Sequence, residues 1–396
     1  MSAIGKRTLA LFLAFLLCAF GAQPALASEA ENQDVSLPVE QSNLAMNVKS
    51  AILLEQTTGQ VLYEQNADEL MPPASITKIM TLLLVMEALD TGKLKMEDMI
   101  SCSEHAATMG GSQIWLEPNE QMSVHDLLKA AAISSANDAS VLLGEAVAGS
   151  EEGFVAMMNE RAKELGMNNT TFRNACGLDE KEHLTTARDI AIMSSELLKH
   201  DKIKEYTTVW MDSLRGGKTQ LVNTNKLVRF YDGTTGLKTG TTNGAGSCLS
   251  ASAQRKGLSL VAVVLGAPTS DDRFAGARKL LDYGFANYAM ATPPNIDAQL
   301  NPVKVLRGTQ PEVAVQYESP KAIVVKQGDE QKLEQRISLV PDVVAPVEEG
   351  QILGKVLISL DSNPIAEYPL KAACGVERMT FPNGMKKLFG SLIKLK

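Results

Sequence analysis

The sequence predicts an α+β domain, an antiparallel sheet with a helical cluster, followed by a small all-β domain and a C-terminal amphipathic helix. Three observations carry this. Helix-period apolar runs crowd residues 79–200, between strand-like segments at 51–63 and 219–265. From about Asn295 to Arg378 no helical period persists. Beyond that, Met385, Leu388, Phe389, Leu392 and Ile393 fall at i, i+3, i+4, i+7 and i+8, with Lys386, Lys387 and Lys394 facing the other way. A chain of 396 residues can bury a large core and hold more than one domain.

Residues 1–27 read as a secretory signal peptide. Lys6 and Arg7 precede an apolar run from Leu9 to Phe20, and Ala25-Leu26-Ala27 offers small residues for cleavage near Ala27. Leu17, before Cys18, is too large for a usual lipoprotein site. Export removes Lys6 and Arg7 from the 38 basic residues and no acid, leaving 36 against 46, a net −10. An acidic exported protein is a poor match to nucleic acid. Cys102, Cys176, Cys248 and Cys374 remain; an oxidising compartment permits any of three pairings, and burial as free thiols is equally open. Neither their spacing nor that of His105, His125, His183 and His200 fits a metal-ligand pattern, so no metal and no cofactor is expected.

Residues 28–46 are polar and acidic and read as a disordered linker, and 47–292 as the α+β domain. Segments 51–54 and 60–63 flank Thr57-Thr58-Gly59 as a hairpin. Pro72-Pro73 then push the backbone out of helix just before Ser75, and the apolar run 79–89 restarts it just after. This places Ser75 in the first helical turn, with the Lys78 amine one turn along on the same face. The helix stops at Thr91-Gly92. Ser123-Val124-His125-Asp126 caps a helix to about Ala132, a second runs from about Asp138 to Ala148, and a tight polar turn, 133–137, lies between. Helices at 153–165 and 186–200 follow, then strands at 219–222, 237–239, 247–253 and 258–265 and a helix at 273–287, ended by Pro293-Pro294. The sheet draws on both ends of this domain. Residues 295–378 hold strands near 303–306, 313–315, 322–325, 337–340 and 355–358 in a sandwich-like unit that reads as a spacer or interaction module. The tail, 380–396, is too short and charged to span a bilayer and suits the surface of an anionic membrane, with docking on the protein's own surface as the alternative.

A serine is a weak nucleophile and an ammonium cannot take its proton, so Lys78 must be kept neutral by burial or by a second cation. Met80, Leu82, Leu83, Leu84, Val85 and Met86 make the following helix apolar on nearly every side, which supplies burial. The S-x-x-K spacing alone is cheap, since Ser391 and Lys394 repeat it. Two further motifs give it weight: Ser135-Ala136-Asn137, the only S-x-N, and Lys238-Thr239-Gly240, the only K-T-G.

In order and context these three motifs resemble the penicillin-binding proteins and serine β-lactamases. Leu53-Leu54-Glu55, Thr58-Gly59, Val61-Leu62-Tyr63, the run from Pro73 to Thr81, Asn223-Thr224-Asn225 and the run from Gly236 to Thr241 are similar to the low-molecular-mass penicillin-binding proteins of the peptidase S11 type, serine D-alanyl-D-alanine carboxypeptidases. So are the small β domain and the basic tail. The resemblance implies a β-lactamase/transpeptidase-like fold, a peptidoglycan pentapeptide substrate, inhibition by β-lactams and a place at the outer face of the cytoplasmic membrane. It implies Ser75 as nucleophile, Lys78 as base, Ser135 as the proton path to the leaving amine, and Asn137 orienting Lys78 and the substrate amide. Lys238 is implied as the cationic neighbour of Lys78. The backbone N–H groups of Ser75 and Thr241 are implied as the oxyanion hole, and the strand 237–241, including Thr239 and Gly240, as the edge that binds the peptide. Arg273 is implied for the terminal carboxylate, with Lys238 and Thr239.

A class A-like β-lactamase would need a glutamate to activate the deacylating water, and the only local lookalike, Glu164-Leu165-Gly166-Met167-Asn168, has the wrong spacing. An inert cell-wall-binding scaffold would have no need of the whole motif set. Arg215-Gly216-Gly217-Lys218-Thr219 lacks the first glycine of a phosphate loop, and Gly244-Ala245-Gly246 lacks the third of a dinucleotide fingerprint.

Overall fold

A computed structural model describes residues 44–296, 299–318 and 322–385. The central feature is a five-stranded sheet in the order Val61–Gln65, Ser50–Glu55, Leu258–Ala267, Gly246–Arg255, Thr234–Thr242, antiparallel throughout. The first hairpin thus lies against the last strand of the domain, as the sequence suggests. Both faces of the sheet are buried. On the strand Leu258–Ala267, Val261, Val263 and Leu265 enter one apolar core while Leu260, Ala262 and Val264 enter the other. Two-sided burial explains why this strand reads as a continuous apolar run rather than an alternating one.

One core holds the helical cluster, built around the helix Lys78–Asp90, which is buried along its length from Lys78 to Met86. The helices Val124–Ile133, Asn137–Ala148, Glu151–Glu164 and Ala187–Leu197 surround it. Ser123, Ser150 and Thr186 each cap one of them by accepting a backbone N–H. The other core lies under the helix Ser270–Asn287.

Several expectations need correction. Ser75 lies in a 3₁₀ turn, Ala74–Thr77, and Lys78 opens the α-helix, because the preceding prolines and a left-handed Ala74 (φ 49°) delay the α geometry. The end of the expected linker is packed: Leu44, Met46 and Val48 lie on the second core and Lys279 Nζ donates to the Ala45 carbonyl at 2.8 Å, while the rest of that linker, 28–43, lies outside the described residues. The strand Thr219–Val222 pairs with Met211–Leu214, apart from the main sheet. No disulfide joins the four cysteines outside the leader: Cys102, Cys176 and Cys248 are buried free thiols and Cys374 is an exposed one.

The second domain is all β, with a four-stranded antiparallel sheet ordered Val315–Tyr317, Asn363–Ala372, Ile352–Leu360, Leu333–Leu339. Asn363–Ala372 escapes a propensity reading because Pro364 and Pro369 interrupt it. The strand Tyr288–Ala291 pairs with Ile323–Lys326, and Val324 is buried in the second core of the first domain, so the two domains are stitched where a clean break at 292–295 was expected. Residues 381–385 are helical, with Phe381 82% and Met385 39% exposed. The expected signal peptide, 1–27, and the remainder of the expected amphipathic tail, 386–396, lie outside the described residues. Among the described residues no helix is long and apolar enough to cross a membrane.

Candidate active site

Three pieces of backbone converge on one cleft: the 3₁₀ turn Ala74–Thr77, the turn before the helix Asn137–Ala148, and the edge strand Thr234–Thr242. Their close approach depends on glycine. A Cβ on Gly240 would sit 3.0 Å from the Ser75 nitrogen and 3.0 Å from Ala74 Cβ, and one on Gly177 would collide with the Ala74 carbonyl. The turn that carries Ser75 is therefore gripped from both sides by residues with no side chain.

Lys78 is fully buried, and its amine donates to Ser75 Oγ at 3.0 Å, Asn137 Oδ1 at 2.6 Å and the Cys176 carbonyl at 2.7 Å. Burial pushes its pKa down to about 8, while Cys176 and Asp138 pull it back up. Asn137 is held in turn, its Nδ2 donating to Gly110 O at 2.6 Å and its backbone N–H to Ser112 O at 2.7 Å. Ser135 is buried in a left-handed conformation, φ 65°, between the two helices.

Lys238 is also fully buried, with one long contact, 3.4 Å to the Thr239 carbonyl. Burial, Lys78 and Arg273 all hold its amine well below the usual lysine range. Desolvation is the first cause holding the Lys78 amine down, and the two buried amines disfavour charge on each other. Among the described residues neither Ser135 nor Lys238 makes a side-chain hydrogen bond to Ser75 or Lys78, so the two stand in the cleft wall rather than in the nucleophile's own network.

Thr239 Oγ1 donates to Thr224 Oγ1 at 2.7 Å. Arg273 is buried at the first turns of the helix Ser270–Asn287, its Nη1 donating to Gly240 O at 2.9 Å and Thr241 Oγ1 at 2.8 Å. Burial lowers its pKa as well. No group of metal-ligating residues occurs among the described residues.

A profile described as "D-alanyl-D-alanine carboxypeptidase" of the peptidase S11 type matches residues 37–269 of this 396-residue chain. The chain belongs to this family. A second profile, "Penicillin-binding protein 5, C-terminal domain", matches residues 289–378 of this S11 protein. The D-alanyl-D-alanine carboxypeptidase DacF of Bacillus subtilis is 44% identical over 90% of this chain and 92% of its own length. DacC of Escherichia coli is 37% identical over 85% and 86%. Among solved structures, penicillin binding protein 5 from Haemophilus influenzae superimposes with a TM-score of 0.79 at 30% identity, over 85% of this chain and 99% of that one. Penicillin-Binding Protein D2 from Listeria monocytogenes in its ampicillin-bound form does so at 0.57 and 35%, over 62% of this chain and all of that one.

Sequence reasoning missed part of the S11 site's support. The third partner of Lys78 is the Cys176 carbonyl, which no side-chain motif announces. Asp138, fully buried beside Asn137, accepts the backbone N–H groups of Ile114 and Leu116. His183 Nδ1 accepts the Arg173 N–H, so its Nε2 donates to Thr77 Oγ1 at 2.9 Å, and that hydroxyl donates to the Ala74 carbonyl. Burial pushes the His183 pKa down to about 4, keeping the ring neutral. Gly177, with Asn174 three residues before it and Asp179 two after, is a turn signal that a reader of sequence could have used.

Proposed function

We propose that this cleft hydrolyses the terminal D-alanyl-D-alanine bond of peptidoglycan pentapeptides through an acyl-enzyme on Ser75. The observation that carries the proposal is the fully buried Lys78 amine 3.0 Å from Ser75 Oγ. With a pKa near 8, about a tenth of that amine is already neutral near pH 7. It takes the Ser75 proton as Oγ attacks the carbonyl of the penultimate D-alanine. The backbone N–H groups of Ser75 and Thr241 receive the oxyanion. Ser135, with Lys238 assisting, delivers a proton to the departing D-alanine amine and is resupplied by the Lys78 ammonium, so that the C–N bond breaks and Lys78 is neutral again. Water then attacks the ester while Lys78 takes its proton, and Lys78 passes that proton to Ser75 Oγ as the ester C–O bond breaks and the shortened peptide leaves as a carboxylic acid.

Asn137 holds the Lys78 amine and presents an amide to the substrate. The peptide lies along the open edge of the strand Thr234–Thr242, with Arg273, Thr239 and Thr241 around the terminal carboxylate. β-Lactams enter the same cleft and acylate the same serine. A β-lactamase reading lacks its water-activating carboxylate: Glu164 is 64% exposed at a helix end and paired with Arg161. The protein acts outside the cytoplasmic membrane, held at its surface by residues 380–396, a reading supported by the exposed Phe381 and Met385 and the lysine-rich apolar periodicity beyond them.

Incubation with a labelled penicillin and with a wall pentapeptide tests the assignment. A stable adduct mapping to Ser75, with stoichiometric D-alanine release lost in Ser75→Ala, is expected. Rapid penicillin turnover without an adduct, or D-alanine release that survives Ser75→Ala, would overturn it.

A further inference from the structure

Beside Asn137 runs the loop 110–120, and it presents Trp115 in an unusual way. The indole is 75% exposed, while its neighbours Ile114 and Leu116 are 2% and 4% exposed. The two aliphatic residues are the loop's anchors, and the tryptophan between them faces outward. Its backbone is left-handed, φ 59°, a conformation that bulky residues rarely adopt.

The surrounding structure holds that conformation in place. The fully buried Asp138 carboxylate accepts the N–H groups on either side of Trp115, from Ile114 at 3.1 Å and Leu116 at 3.1 Å. Arg215 donates to the carbonyls of Ile114 at 2.8 Å and Trp115 at 3.4 Å, and is itself fixed by Glu120 at 2.7 and 3.0 Å. The backbone that carries this large apolar ring is thus fixed by a buried carboxylate and a paired guanidinium, which sets where the exposed indole is presented.

The same loop is bolted to the reaction centre, because Gly110 and Ser112 are the carbonyls that hold Asn137. Ser112 and Trp115 are three residues apart, so their Cα atoms lie within about 11 Å. A five-residue stem peptide in extended form spans about 17 Å. The indole is therefore within reach of whatever the stem is attached to.

Resting on the function proposed above, we propose that Trp115 is a sugar-binding residue that stacks on an N-acetylated hexosamine of the glycan carrying the stem. A β-linked hexosamine offers an apolar C–H face the size of one indole. The exposed residues next to Trp115 in the chain are polar or small: Ser112, Glu117, Pro118 and Asn119 are exposed and Gln113 is half-buried. A protein partner would need a contiguous apolar patch of far greater area, and the local sequence does not provide one.

The test uses the full-length protein. The chain has two tryptophans, so in Trp210→Phe the emission reports Trp115 alone. Titration with the tetrasaccharide of N-acetylglucosamine is expected to give a saturable change in that emission; no change would overturn the proposal. In parallel, kcat/KM of wild type and Trp115→Ala is compared on a diacylated D-alanyl-D-alanine tripeptide, a sugar-free pentapeptide and a disaccharide pentapeptide. About a tenfold loss confined to the disaccharide substrate is expected. Equal losses on all three would assign Trp115 a structural role, and a loss shared by the sugar-free pentapeptide would assign it to peptide; either refutes a sugar site. If wild type cleaves none of the three, the carboxypeptidase reading fails while the titration still reads the sugar site.

Discussion

At the scale of the residue, the two buried lysines set both the reactivity and the cost of the proposed mechanism. Lys78 is a base only when deprotonated, and its pKa lies near 8. The rate of Ser75 acylation by a penicillin should therefore climb with pH to a plateau with its midpoint close to 8, measured by stopped-flow or quenched labelling; a flat profile between pH 6 and 9.5 would remove Lys78 as the base. The linkage has a definite sign. A lysine whose folded pKa is depressed binds fewer protons folded than unfolded between the two values, so its contribution to stability improves as pH rises from about 8 toward the ordinary lysine value. Lys238 is the cleaner probe of the cost, because it makes only one long hydrogen bond. Lys238→Met should raise stability by roughly 1–3 kcal/mol, the usual cost of burying a polar group without a good hydrogen bond, while activity falls below detection. Denaturant unfolding reads the first effect and D-alanine release the second. A destabilised Lys238→Met would mean that the amine is better solvated than its burial implies.

At the scale of the element, the positions of three backbone segments matter more than any one side chain. Gly240→Ala would bring a methyl group to within 3.0 Å of the Ser75 nitrogen and push the edge strand off the nucleophile turn. Acylation should slow by about 100-fold, the usual penalty for ångström-scale misplacement, with a melting temperature little changed. An unaltered acylation rate would show that the strand does not set the geometry. Much of this arrangement was legible in the sequence. The two prolines and the apolar run 79–89 place Ser75 and Lys78 at a helix start, and the hydrophobic strands 247–253 and 258–265 announce the sheet. What was not legible depends on long-range contact: the Cys176 carbonyl under Lys78, the Asp138 anchor of the 110–116 loop, and the His183 ring behind Thr77 all come from segments far apart in the chain. Nor does a sequence disclose that both amines are buried and that Arg273 comes to rest where its charge acts on Lys238.

At the scale of the whole molecule, the cleft belongs to the first domain alone, and the Listeria relative is matched over its full length by 62% of this chain. A chain ending after Ala291 should keep its rate of penicillin acylation in solution. It should melt several degrees lower, because it loses Val324 from the second core and the partner of the strand Tyr288–Ala291. Loss of acylation in a truncated protein that is still folded would give the second domain a part in the chemistry. The edge strand Thr234–Thr242 has one further bearing. It is the edge of its sheet, and in the proposed reaction the natural peptide and the drug that mimics it both run along its main-chain groups, with Arg273, Thr239 and Thr241 holding the carboxylate that the two share. Main-chain groups cannot be substituted by mutation. Drug resistance arising inside this protein therefore has little room to separate friend from impostor, and selection would more readily act on how much of the protein is made than on what its cleft looks like.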